Sequence, residues 1–123
     1  ASSPSPGPLI WLSFVAAATT TMRLGTGILI LPQRNPLVLA KEVATLDRLS
    51  GGRVELGVGV GWLREEFDAL GTPFDRRGQR TDEYLAAMRS LWCDEVSEFH
   101  GELYDLRPCR MYTKPVQRPP PPA

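Results

Sequence analysis

The stretch RLGTGILILPQRNPLVLAKEVATLDRLSGGRVELGVGV, residues 23–60, decides the fold. Its first part, Arg23 to Leu31, is a short, continuous apolar run rich in β-branched residues, and Pro32 ends it. Its last part, Arg53 to Val60, is a second apolar run. Runs of this type predict strands that are covered on both faces, as in a parallel sheet.

The segment between the two runs predicts a capped helix. Asn35 is a good N-cap, and Pro36 suits the first helical position. Gly51 and Gly52 end the helix. Apolar residues recur on one face of this helix: Leu39, Val43 and Leu46. Strand, helix and strand in this order predict a right-handed βαβ unit.

The rest of the chain predicts further helices and a hairpin. Residues 9–20 form a helix that is apolar nearly all round, so we expect it to be buried. The stretch SEFHGELYDL, residues 97–106, predicts two short β segments joined at Gly101. Two more helices are expected: a short one after Gly61 that ends at Leu70, and a longer one from Asp75 or Gln79 to Trp92.

These elements divide the chain into four segments. We expect a disordered N-terminal segment (1–8), partial β/α units (9–94), a hairpin-like insertion (95–114) and a Pro-rich tail (115–123). The two ends are predicted to be unstructured because Pro-rich sequence neither pairs in a sheet nor continues a helix.

Composition excludes several classes of function. The chain has 123 residues, 23% of them charged, and a formal net charge of zero. Because no basic stripe is present, nucleic acid is not an expected partner. The longest apolar run is about half of a membrane span, so no membrane partner is expected either. Cys93 and Cys109 predict unpaired thiols in a cytoplasmic protein and lack the spacing of a metal site.

Glycines alternate at the end of the second run, but their spacing does not match a phosphate-binding loop. In a Gly-x-Gly-x-x-Gly pattern that starts at Gly57, Trp62 takes the place of the third glycine. Starting from Gly59, Arg64 takes it. This spacing also argues against a nicotinamide-binding Rossmann unit. Two compatible interpretations remain, a close-packing device and the wall of a cofactor pocket at the carboxyl ends of parallel strands.

Residues 23–92 resemble the luciferase-like monooxygenase family, most specifically in NPLVLAKEVATLD, SGGR and LGVGVGW followed by EEF. More narrowly, the chain is similar to the coenzyme F420-dependent oxidoreductase branch of mycobacteria and other actinobacteria. The resemblance runs from about residue 8 to residue 122. It implies a partial (β/α)8 TIM barrel, with about strands three and four and their helices. The implied activity is hydride transfer between reduced coenzyme F420 and a small organic substrate.

The resemblance also implies a set of cofactor-binding residues at the strand ends. In that branch, the bond that matches Gly27–Ile28 is a non-prolyl cis peptide, whose bulge supports the middle ring of the cofactor. Ile30 matches a position that lines the ring. The end of the fourth barrel strand is expected to approach the cofactor or substrate through Gly59, Val60, Gly61 and Trp62.

This chain departs from the family pattern at the position of the residue that acts as the acid in relatives. Sugar-phosphate dehydrogenases of the branch place a glutamate where this chain has Trp62. Glu65 and Glu66 follow one turn later, but a charged, solvent-facing helix start explains them better. His100 lies in the predicted hairpin, away from the matched positions. No catalytic acid or base is assigned.

Length is the second departure, because a barrel of this type takes about 250 residues. The first two barrel strands, which carry substrate-side residues in relatives, are outside this sequence, and so is the later half that binds the cofactor phosphate. Two parallel strands do not bury both faces by themselves, so we expect a homo-oligomer. FMN-dependent monooxygenase activity, or a non-catalytic self-associating remnant of the barrel, are the alternatives.

Overall fold

The computed structural model describes residues 7–26 and 29–122 of an α/β chain. A 3₁₀ turn at Leu31–Gln33 follows β2. The helices are α1 (Pro8–Ala18), α2 (Pro36–Leu49), α3 (Arg64–Leu70) and α4 (Arg77–Cys93). The strands are β1 (Leu24–Gly25), β2 (Leu29–Ile30), β3 (Val54–Glu55), β4 (Val58–Gly59), β5 (Ser97–His100) and β6 (Asp105–Cys109).

The predicted parallel pairing of the two apolar runs is confirmed. β1 pairs with β3, with Leu24 opposite Val54. β2 pairs with β4, with Leu29 opposite Val58. Each run predicted as one strand therefore contains two short strands, and residues 56 and 57, between β3 and β4, belong to neither.

Helix α2 begins and ends where the sequence predicts. The Asn35 carboxamide oxygen accepts hydrogen bonds from the backbone N–H groups of Leu37 (3.0 Å) and Val38 (3.1 Å). Gly51 and Gly52 have φ of 69° and 85°, a region that favours glycine, and they turn the chain into β3. The predicted apolar face is buried at Leu39, Val43 and Leu46.

The prediction that α1 is buried all round is wrong for one face. Leu9, Leu12 and Ala16 are buried against α2 and β1. On the opposite face, Ile10 is 74% exposed and Phe14 is 78% exposed. The helix is apolar on both sides, but among the described elements only one side has a partner.

Two buried charged residues hold the turn between α2 and β3. The Asp47 carboxylate accepts hydrogen bonds from the N–H groups of Val116 (2.8 Å) and Gln117 (2.9 Å). The Arg53 guanidinium donates to the carbonyl oxygens of Ala16 (3.1 Å) and Thr19 (3.2 Å). Arg53 therefore closes the carboxyl end of α1, and Asp47 fixes the start of the Pro-rich tail.

The tail has no helix or strand over residues 115–122 but packs against the chain. The Gln117 side-chain amide donates to the Val54 carbonyl at 2.8 Å. The Leu56 N–H donates to the Pro122 carbonyl at 2.7 Å. The tail therefore runs along the edge of β3 that β1 does not cover. It lacks helices and strands, as expected for an unstructured end, but it is packed against the rest of the chain. The division into four segments stays a prediction.

Helix α4 and the hairpin complete the fold. α4 buries Met88 and Leu91, and the Trp92 indole N–H donates to the Ala40 carbonyl of α2 at 3.0 Å. β5 and β6 pair antiparallel, as the hairpin prediction requires. Within residues 7–26 and 29–122, no helix is both long and apolar enough to span a bilayer.

Removing the buried carboxylate should destabilise the protein. In Asp47→Ala, the N–H groups of Val116 and Gln117 lose their acceptor, so we expect the free energy of unfolding to fall by about 3 kcal/mol or more. Urea denaturation measures this change. Asp82→Ala on exposed α4 surface is the control, and it should stay within about 0.5 kcal/mol of wild type. Equal stability of the two variants would contradict this role of Asp47.

Candidate functional site

The carboxyl ends of β2 and β4 lie side by side and bring part of the predicted site together. Ile30 stands directly opposite Gly59 in the parallel ladder. Ile30 is half-buried, Val60 is 40% exposed and Trp62 is 77% exposed. Gly61 lies between Val60 and Trp62 in the chain. The Gly27 and Ile28 predictions, including the cis bond between them, lie outside the described residues.

Gly61 is a close-packing residue. Its φ is 81°, and a Cβ built on it would lie 2.8 Å from Phe67 Cε1 and 2.9 Å from Ile30 Cγ2. A side chain at this position is therefore excluded both by conformation and by contact. Of the two interpretations left open by the glycine pattern, close packing holds at Gly61.

Arginine and phenylalanine side chains hold the Gly61 turn in place. Arg77 Nε donates to the Gly61 carbonyl at 2.7 Å, and the Arg77 guanidinium lies 3.9 Å from the centroid of the Phe74 ring. Phe74 meets Phe67 edge to face at 5.3 Å. Sequence reasoning did not identify Phe74 or Arg77, because their contacts depend on how the chain folds back on itself and no local pattern signals them.

Thr26 fills the interruption between the two ladders. Gly25 pairs with Glu55 and Leu29 pairs with Val58, so between these two pairs the first strand holds one residue more than the second. Such an extra residue defines a β-bulge. The Thr26 hydroxyl donates to the Gly57 carbonyl and accepts from the Gly57 N–H, both at 2.8 Å.

Thr26 thus replaces the backbone hydrogen bonds that the bulge removes, while Leu29 N–H also donates to the Gly57 carbonyl at 2.8 Å. Thr26 is only 8% exposed. Sequence reasoning passed over this residue, although a hydroxyl inside an otherwise apolar run was the available signal.

The described site residues fit a flat ring system better than an anion. Ile30, Val60 and Trp62 present two β-branched side chains and an indole at one sheet edge, beside the bare backbone of Gly59. None of the seven predicted residues carries a charge, so this set offers no ionic partner for a phosphate. Glu65 and Glu66 lie exposed in the first turn of α3. This agrees with the prediction that they form a charged, solvent-facing helix start.

A groove lies elsewhere in the described structure. It has a volume of about 740 Å³ and runs between α1, α2 and residues 109–113. Of the predicted cofactor residues that the structure describes, none lines it. The strand ends are a separate surface, the strand-end platform, which is formed by Ile30, Gly59, Val60 and Trp62.

The hairpin carries two polar clusters. Glu83 of α4 accepts from the N–H groups of Leu103 (2.9 Å) and Tyr104 (3.0 Å), which fixes the hairpin loop to the helix. Burial by itself would raise the pKa of Glu83. The hydrogen bonds from Leu103, Tyr104 and Gln79 stabilise the carboxylate more strongly, so the pKa of Glu83 is lowered.

His100 lies in the hairpin, as predicted, and is exposed on β5 between Glu98 (2.8 Å from Nε2) and Asp105 (2.5 Å from Nδ1). Hydrogen bonds to Glu98 and then to Asp105 raise the pKa of His100 above 6.5.

The raised pKa of His100 predicts that the hairpin is more stable at acidic pH than at alkaline pH. The contribution is complete below about pH 6.5, the unfolded value, and is lost as the pH rises through the folded pKa. NMR titration checks this directly, because the chain has one histidine. Glu98→Gln should lower the measured pKa, and a pKa of 6.5 or less in the wild type would contradict the assignment.

The bulge hydrogen bonds of Thr26 are testable by hydroxyl removal. Thr26→Val leaves the Gly57 N–H without an acceptor, while the Gly57 carbonyl keeps only the Leu29 N–H, so we expect a loss of about 1–3 kcal/mol in unfolding free energy and faster amide exchange at Gly57. Thr26→Ser keeps the hydroxyl and is the matched control. Equal exchange at Gly57 in the two variants would show that the hydroxyl does not hold the bulge.

The names of two relatives of this chain specify different cofactors. The F420-dependent glucose-6-phosphate dehydrogenase of Kineococcus radiotolerans is 38% identical over 92% of this chain and 34% of its own length. The FMNH2-dependent dimethylsulfone monooxygenase of Pseudomonas putida is 36% identical over 85% and 30%. A Mycobacterium tuberculosis protein named only as uncharacterized is 42% identical over 89% and 39%. This chain thus spans between 30% and 39% of the length of these relatives.

Solved structures show the same fold. Monooxygenase RslO1 from Streptomyces bottropensis matches with a TM-score of 0.88 and 37% identity, over 95% of this chain and 36% of that one. The coenzyme F420-dependent tetrahydromethanopterin reductase of Methanopyrus kandleri matches at 0.74 and 24% identity, over 92% and 36%, a likeness of fold alone. The α/β fold is that of a partial TIM barrel, as the resemblance implied.

The sequence model for luciferase-like monooxygenases matches residues 1–123. The chain belongs to the luciferase-like monooxygenase family.

Proposed function

We propose that this chain supplies the cofactor-ring platform of an oxidoreductase that transfers a hydride between reduced coenzyme F420 and a small organic substrate. The observation that carries the proposal is the pairing of Ile30 with Gly59 at the carboxyl ends of adjacent parallel strands. Ligands of β/α barrels bind at this edge. The named activity of the Kineococcus radiotolerans relative supports the choice of coenzyme.

In this proposal the protein positions the ring and excludes water, and the cofactor supplies the hydride chemistry. Ile30 and the bare Gly59 backbone hold one face of the ring, and the family resemblance adds Gly27 and Ile28 to this set of cofactor-binding residues. Val60 and Trp62, which follow along the chain, contact the ring edge or the substrate and remove water from it. Gly61 keeps these two side chains at the strand end because Phe67 and Ile30 fix its turn.

An FMN-dependent monooxygenase is the second candidate within the family. The named activity of the Pseudomonas putida relative favours it. An isoalloxazine and a deazaflavin ring are both flat tricycles, so the same apolar platform serves either. The two candidates differ in which reduced cofactor binds, and that difference is measurable.

The third candidate is not an enzyme but a non-catalytic, self-associating remnant of the barrel. The uncharged set of predicted residues supports it, because nothing in that set holds a cofactor phosphate. A homo-oligomer fits this candidate and the enzyme alike. The free thiols of Cys93 and Cys109 favour a reducing, cytoplasmic location for both.

Cofactor titration tests the proposal. We expect coenzyme F420 to bind more tightly than FMN, followed by the change in cofactor fluorescence. Trp62→Ala should weaken binding about tenfold, because stacking on an aromatic side chain contributes roughly 1–3 kcal/mol. Trp11→Ala, at an exposed tryptophan on α1, is the matched control and should bind as wild type does.

Each outcome separates the candidates. Tighter binding of FMN selects the monooxygenase. Failure to bind either cofactor, or its phosphate-free ring analogue, selects the remnant. Equal loss of binding in the Trp11 and Trp62 variants would place the ring away from the strand ends.

A further inference from the structure

The hairpin tip, residues 101–104, is fastened to the first half of α4. The Gly101 N–H donates to the Tyr104 carbonyl at 2.9 Å and closes the tip. The Tyr104 ring meets Tyr84 of α4 edge to face at 5.2 Å. A Cβ at Gly101 would collide with the Glu83 carboxylate, so the tip lies directly on the group that accepts its N–H donors. The hairpin tip is therefore held against the α4 surface.

One contact of the hairpin tip reaches the residue that precedes α4. The Arg76 guanidinium donates to the Glu102 carboxylate and, at 2.9 Å, to the side-chain oxygen of Gln79. The Gln79 amide in turn donates to Glu102 at 3.0 Å. These three side chains form a closed triangle of hydrogen bonds between the tip and the first turn of α4.

The backbone of Arg76 has an unusual conformation. Within the part of the chain that the structure describes, Arg76 is the only residue other than glycine with a positive φ, at 59°. The left-handed region is unfavourable for a residue with a side chain, so such a conformation persists only where contacts support it. The contacts of the Arg76 side chain with Glu102 and Gln79 supply this support.

The next residue in the chain is the one that holds the Gly61 turn. Arg77 donates to the Gly61 carbonyl at 2.7 Å, and Gly61 lies between Val60 and Trp62. The φ and ψ of Arg76 set where α4 begins and the direction in which Arg77 leaves the backbone, since each residue has only these two soft dihedrals. A change of Arg76 out of the left-handed region therefore moves Arg77 away from the Gly61 carbonyl.

We propose that the hairpin tip is a strap that positions the strand-end platform. Glu102 holds Arg76 in its left-handed conformation, and this conformation sets the start of α4. Arg77 then reaches the Gly61 carbonyl, and the Gly61 turn orients Trp62. Glu102 and Arg76 are thus positioning residues that act on the platform through Arg77. The inference rests on the proposed function only for what the platform binds, and the positioning of Trp62 is independent of it.

NMR relaxation of the cofactor-free protein tests the strap. We expect the Trp62 amide to be as rigid in wild type as the amides of α4, with an order parameter of about 0.85. Arg76→Val should lower it below about 0.6, because a β-branched residue disfavours the left-handed conformation. Glu102→Ala should lower it by less, since an exposed ion pair contributes little by itself. Glu95→Ala, which removes the exposed ion pair with Arg110, is the matched control and should leave the Trp62 amide unchanged.

A glycine substitution separates positioning from general destabilisation. Glycine adopts the left-handed conformation without support, so in an Arg76→Gly background the Trp62 amide should no longer respond to Glu102→Ala. The Glu102 side chain is 71% exposed, so its removal leaves the chain folded. A Trp62 amide that stays rigid in Arg76→Val, that responds to Glu102→Ala no more than to Glu95→Ala, or that responds equally in the Arg76→Gly background would overturn the strap.

Cofactor titration of the same variants keeps this inference and the proposed function distinguishable. Glu102→Ala should weaken the binding of coenzyme F420 about threefold, and Glu95→Ala should not change it. A Trp62 amide that responds to Glu102→Ala in a protein that binds no cofactor supports the strap and contradicts the proposed function. Cofactor binding by a wild type whose Trp62 amide never responds to Glu102→Ala overturns the strap and leaves the proposed function standing.

Discussion

The structure depends on the buried charges at the two ends of one turn. Asp47 is the last buried residue of α2 and Arg53 precedes β3. Arg53 satisfies carbonyl groups at the end of α1, and Asp47 satisfies N–H groups at the start of the tail. A buried charge is tolerated only when it is fully hydrogen-bonded. The α2–β3 turn therefore fixes where α1 ends and where the tail crosses, and α1 and the tail in turn enclose the paired strands.

The site follows from how those strands end. The extra residue in the first strand shifts its pairing, and the Thr26 hydroxyl satisfies the Gly57 groups at the gap. Beyond the gap, Ile30 comes to lie opposite Gly59. The ladder then stops because the left-handed turn at Gly61 leads the chain away, locked by Phe67 and Arg77. The platform is thus a consequence of interrupted pairing and not of a continuous strand.

Local signals were enough to predict the elements, and long-range contacts were not. Asn35 and the Gly51–Gly52 pair predicted the bounds of α2, because caps and left-handed turns act within a few residues of themselves. The adjacency of Ile30 and Gly59 also followed from the pattern of two apolar runs. The Arg77–Gly61 hydrogen bond joins residues far apart in the chain, and no local sequence pattern predicts it. The burial of α1 was predicted wrongly because its composition reports how apolar each face is, and not whether a partner covers it.

The glycine pattern shows why packing and binding roles are hard to separate in sequence. A side-chain-free residue allows close approach by whatever lies nearest, and that can be protein or ligand. At Gly61 the nearest atoms belong to Phe67 and Ile30, so the free space is already filled. Gly59 instead lies opposite Ile30 in the parallel pairing of β2 and β4. Glycines two residues apart therefore have different surroundings: Gly61 forms a tightly packed turn, and Gly59 belongs to the strand pair that precedes it.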